Sequence, residues 1–162
     1  MKTLINNIVK QLKDIQNEQV WLNVNFKKKL DLLNENEIFT RPIPTLHSVA
    51  ELISHLTFWR QEAILKIKTK KGLLTDESEE NWLTIEQLKI IGWNKIKSDY
   101  DDSLTEIIQL LEQKDDSFLN ELYFDTDYKN YYNYSFLIEG ILHHDIYHLG
   151  QIGMLVKLIK AK

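Results

Sequence analysis

The chain has 162 residues, 43% apolar and 27% charged, with a formal net charge of −4. That is the size and balance of a single globular domain with a substantial core, and a negative charge gives no general pull toward nucleic acid or an anionic membrane surface. Cysteine is absent, which excludes disulfides, thiolate metal sites and a cysteine nucleophile.

In the first segment Ile5, Ile8, Leu12 and Ile15 recur at three- and four-residue steps, the mark of one buried helical stripe. Lys10 and Lys13 interrupt its apolar stretch too early for a signal peptide. No run approaches the roughly 18 apolar residues of a membrane span, so a cytoplasmic location is expected. Phe26, Leu30 and Leu33 then predict a short extra helix, and Pro42 and Pro44 an extended break.

A second long helix is expected to open at Ser48, with Glu51 three residues later as its capping-box partner. Val49, Leu52, Leu56, Trp59 and Ala63 form its apolar face, and Lys70-Lys71-Gly72 suits its end. Residues 72–83 read as an acidic, mobile linker. A third helix fits Ile85 to about Gln113, with Gly92 marking a bend. Residues 115–134 carry Phe118, Tyr123, Phe124, Tyr128, Tyr131, Tyr132 and Tyr134 without clear periodicity. They read either as a lid or as rings capping one end of the molecule. The last helix is expected over 135–160, its inward stripe being Leu137, Ile141, His144, His148, Ile152, Leu155 and Ile159. Four long helices and no strand pattern predict an all-α bundle in one domain, 1–162.

Two members of that last stripe are histidines. His144 and His148 stand four residues apart, so both rings leave one helix face. Such a pair is either hydrogen-bonded core or the half of a metal site, because buried imidazoles need something to satisfy them. His55, at the edge of the second helix's apolar face, is a core-edge histidine or a third ligand. Three imidazoles on two helices would leave coordination positions open for water or substrate. His47 reads as a loop residue, and His143 lies about 100° around the helix from His144; neither is assigned to a metal. Asp145 occupies the place of the general base in His-Glu-x-x-His zinc peptidases, one methylene shorter. It is a candidate catalytic base, or else makes a supporting hydrogen bond. Gln151 is placed to orient a ligand or water. Glu51 has a choice between capping and orienting His55, and Tyr147 between donating near the site and packing.

The segments Glu51-Leu-Ile-Ser-His-Leu56 and His144-Asp-Ile-Tyr-His-Leu-Gly-Gln151 resemble the DinB-like (DNA-damage-inducible, YfiT-related) superfamily. The resemblance spans nearly the whole chain, and the second segment is the more specific. It implies a four-helix bundle in up-down-down-up order and one divalent metal held by His55, His144 and His148. It also implies homodimers. Relatives of this kind include transferases and isomerases that use bacillithiol or mycothiol, and metal-dependent hydrolases. The expected function is therefore metal-dependent transfer of a low-molecular-weight thiol to an electrophilic small molecule. The alternatives are a hydrolase with metal-activated water, or a non-catalytic metal- or ligand-binding bundle. The metal itself is not legible, since imidazole suits zinc, nickel and iron alike.

Overall fold

A computed structural model describes residues 1–161. The first helix, α1 (Thr3–Gln16), buries Ile5, Ile8, Leu12 and Ile15, the stripe that the periodicity predicted. Its own N-cap residue supplies no side-chain bond. Instead Asp116 Oδ1 accepts from the amides of Leu4 and Ile5, both at 3.1 Å, a cap donated from far along the chain. The extra helical segment is two pieces, α2 (Phe26–Leu30) and α3 (Glu35–Ile38), each started by an asparagine whose side chain accepts from the first turn.

The second long helix, α4 (Val49–Thr69), opens on the expected capping box between Ser48 and Glu51. It ends at Lys70, which takes the left-handed conformation (φ 60°), so a lysine rather than Gly72 makes the turn. The third long segment is divided. A short α5 (Ile85–Ile91) and a long α6 (Trp93–Glu112) meet at Gly92. Gly92 has φ 84°, a conformation side chains resist. The last helix, α7 (Tyr134–Lys160), starts on the Asn133 side chain. Helix α4 packs against α6 and α7, and α1 closes on the same two partners. Their apolar faces form one core around Leu56, Leu88, Ile107 and Ile152.

Two expectations need correction. Residues 115–134 are not free of strands: after a 3₁₀ turn (Asp116–Asn120), β1 (Leu122–Asp125) and β2 (Asn130–Asn133) pair antiparallel, with Tyr123 opposite Tyr132. Strands of four residues are too short to show alternation over a window, which is why the pattern was silent. The turn is built by Asp125, whose Oδ1 accepts from the amides of Asp127 and Tyr128, each at 3.0 Å. Phe118, Tyr123 and Tyr134 enter the core, whereas Tyr128 and Tyr131 are exposed.

The 72–83 segment is also tied down. Buried Glu62 accepts from the amides of Leu73 (3.0 Å) and Leu74 (3.2 Å). A Cβ at position 72 would lie 2.2 Å from Glu62 Oε1, so Gly72 permits this close approach. Lys70 and Gly72 exchange backbone bonds with Phe124, at 2.9 and 3.0 Å, docking the hairpin on the end of α4. A 3₁₀ turn (Glu79–Trp82) completes the connection. No helix among the described residues is long and apolar enough to cross a membrane.

Candidate metal centre

Helix α4 presents His55 and α7 presents His144 and His148, and the three rings meet. His55 Nε2 lies 3.0 Å from His144 Nε2, and His148 Nε2 lies 2.9 Å from the same atom. Among the described residues no carboxylate and no fourth histidine joins them. His55 and His148 are buried and His144 is half-buried.

The outer nitrogens decide what the inner ones can do. His55 Nδ1 faces the Asn81 side-chain Oδ1 at 2.8 Å and the Asn81 carbonyl at 3.2 Å. The carbonyl can only accept, so Nδ1 carries the proton and Nε2 is left with its lone pair. The Asn81 amide orientation agrees, since its Nδ2 donates to the Asp76 carbonyl at 3.0 Å. His148 Nδ1 faces Gln151 Oε1 at 2.7 Å, which with the amide so oriented gives the same tautomer. Two lone pairs therefore point at His144 Nε2. Its single N–H can be directed at only one of them, which leaves a buried acceptor unsatisfied.

A cation resolves the conflict. Metal–nitrogen bonds of about 2.0–2.1 Å place neighbouring ligand nitrogens about 3 Å apart or slightly more, close to the separations observed. The donor set thus fits a divalent ion, held by three neutral imidazoles with further positions open. The electrostatics favour neutrality. Burial first, then the neighbouring His148, lowers His55 to about 4; burial, then His148 and His55, lowers His144 to about 3. Burial also lowers His148, against the bond from Gln151.

The other candidates divide. Gln151 orients His148 as its position suggested. Glu51 caps α4 and takes an ion pair from Arg41, so it does not orient His55. Burial pushes its carboxyl up, but the bonds from Arg41, Ser48 and His47 outweigh this and hold it near 2. Asp145 is completely buried and faces Arg60, with 2.7 Å between Oδ2 and Nη2. That pair is a tie between α7 and α4, and it gives Asp145 no solvent-facing oxygen with which to serve a reacting water. Asp145 Oδ1 and Arg60 Nε have no hydrogen-bond partner among the described residues. His143 is exposed and outside the cluster, and Tyr147 is exposed with its ring edge against His148.

Two contributors come from the segment read as a linker. Asn81 holds His55, and the Trp82 ring lies between those of His47 and His55, 3.9 Å from each and nearly parallel to both. The one sequence signal was an Asn-Trp pair interrupting an acidic stretch. Arg60 was the third omission, an arginine inside an apolar helix face.

A family model described as the DinB superfamily matches residues 18–152. A crystal structure of a conserved protein from Enterococcus faecalis is similar at 18% identity and a TM-score of 0.70, covering 100% of this chain and 99% of that one. That likeness concerns the fold alone. Among curated proteins nothing matches.

Proposed function

The chain belongs to the DinB superfamily, and on that premise we propose that it is a divalent-metal-dependent transferase joining a low-molecular-weight thiol to an electrophilic small molecule. The observation that carries this reading is the convergence of three Nε2 atoms, from His55, His144 and His148, with no fourth protein ligand among the described residues. When bound, a divalent ion supplies a positive centre that favours the thiolate form of a coordinating thiol at neutral pH.

The rest falls to the protein. His55 and His148 keep their lone pairs inward because Asn81 and Gln151 hold the outer protons. The thiol proton passes to solvent, sulfur bonds to the electrophilic carbon, and the bond to the leaving group breaks. Since the chain lacks cysteine, the sulfur comes from a cosubstrate. Thiol transfer is favoured over hydrolysis because neither carboxylate that might serve as a base is free. Asp145 is locked to Arg60, and Glu51 is locked to Arg41. A carboxyl held near 2 is a poor proton acceptor at neutral pH. The reading extends to a four-helix bundle of α1, α4, α6 and α7 in up-down-down-up order.

The test is incubation of zinc-loaded protein with bacillithiol or a simpler thiol and monobromobimane. The expected result is conjugate formation above the uncatalysed rate, abolished by chelator and by His148→Ala. Thiol-independent turnover of an ester or amide panel would replace this proposal with hydrolysis. Retention of metal without turnover of either kind would leave a binding protein.

A further inference from the structure

Beside the histidines runs a cleft of about 310 Å³, into which His55 and His144 both project. Its volume lies at the small end of ligand sites. The walls are apolar rings and aliphatic chains: Trp59 from α4, Phe136 and Ile141 from α7, and Tyr128 from the hairpin turn. The same lining carries Lys66, Asp76, Asp125 and Asp127, and the Asp76 carbonyl accepts from the Asn81 side chain that also holds His55.

These charges do not cancel. Lys66 lies 2.8 Å from Asp125 and 3.5 Å from Glu62, so its charge is already matched by two buried carboxylates. Asp125 is further satisfied by the Asp127 and Tyr128 amides. Asp127 accepts only a backbone amide, that of Asp76, and neither Asp76 nor Asp127 has an ion-pair partner among the described residues. Burial first, and then the charges of Asp127 and Asp76, push the Tyr128 hydroxyl up, a second sign of a negative field there.

The geometry points to this cleft as the binding site for a small molecule with an apolar ring and an ammonium group facing Asp76 and Asp127. The ring lies along Trp59 and Phe136. The ammonium sits near Asp76 and Asp127, over the Tyr128 ring, where a cation and a π face attract. An anionic tail is rejected by the same carboxylates. A second hollow, of about 420 Å³ between α1, α2 and α6, offers no such selectivity, because its Lys13, Lys27 and Lys97 are each paired with a carboxylate.

This inference deepens the proposed function by naming the electrophile's class, yet its ring and charge selectivity do not require metal. The experiment therefore uses the full chain both zinc-loaded and chelator-treated. Phenethylamine, 2-phenylethanol and 3-phenylpropionate serve as probes, titrated against amide chemical shifts of α7 and the hairpin turn. Phenethylamine is expected to bind roughly tenfold tighter than 3-phenylpropionate, as two screened carboxylates would give. The Asp76→Asn/Asp127→Asn variant removes the difference, and Phe136→Ala weakens phenethylamine and phenylethanol alike. Equal or tighter binding of the anion, no binding of any probe, or selectivity that survives the double asparagine variant overturns the inference. Selectivity intact in a protein that retains no zinc defeats the metal reading and leaves this one standing.

Discussion

Single side chains decide the proton inventory of the three-histidine cluster. Replacing Asn81 by Leu removes the side-chain acceptor that orients His55, leaving only the backbone carbonyl, and is expected to weaken zinc binding about 10–100-fold, the usual effect of losing an outer partner. Competition with a chromophoric chelator measures it, and unchanged affinity counts against the tautomer argument. The depressed imidazoles set a pH response in the metal-free protein. The unfolded chain takes up protons near 6.5, whereas folded His55 and His144 resist until about 4 and 3. Proton uptake by the unfolded state alone lowers stability as pH falls through that window, and above 6.5 the effect vanishes. Thermal melts of chelated His144→Phe should accordingly fall less steeply between pH 6.5 and 4 than those of the parent; parallel curves would refute this. His144 and His148 were legible in the sequence because a four-residue step fixes a shared helix face. Asn81 and Trp82 were not, because a connection between helices has no period from which to read a facing partner.

Among elements, the join between α4 and α7 rests on Arg60 and Asp145, both completely buried. Arg60 also donates to the Tyr100 carbonyl at 3.1 Å, and to Gln16 and the Tyr100 hydroxyl at 3.3 Å, bringing α1 and α6 into the same node. Removing one partner of such a pair leaves an unmatched buried charge. Arg60→Leu alone is expected to cost about 3–5 kcal/mol in urea denaturation, while Arg60→Met combined with Asp145→Leu recovers most of the loss. A double variant as unstable as the single one would show that the surrounding hydrogen bonds, and not the charge, matter. The long helices were readable from their stripes, and the α4 start from its capping box. The hairpin was not. Its strands are held by the Asp125 turn and by backbone pairing with Lys70 and Gly72, contacts between distant segments that no local pattern records.

For the whole molecule, charge and size set useful bounds, while assembly has to be measured. We propose that the chain forms a homodimer through the outer face of α7. There Tyr147 and Met154, 64% and 58% exposed, line one hollow with Leu46, apolar surface of the kind a partner subunit covers. Sedimentation should return twice 19.3 kDa, and Met154→Glu should return the monomer; a wild-type monomer at high concentration refutes the dimer. The proposed chemistry depends on one cation gathering rings from α4 and α7. Metal analysis of purified protein, joined to X-ray absorption at the metal edge, tests that most directly. The expected result is about one divalent ion per chain with three imidazole nitrogens at about 2.0–2.1 Å, lost in each of His55→Ala, His144→Ala and His148→Ala. A folded protein that retains no ion after incubation with zinc, nickel or manganese, or that binds one without these imidazoles, would contradict it.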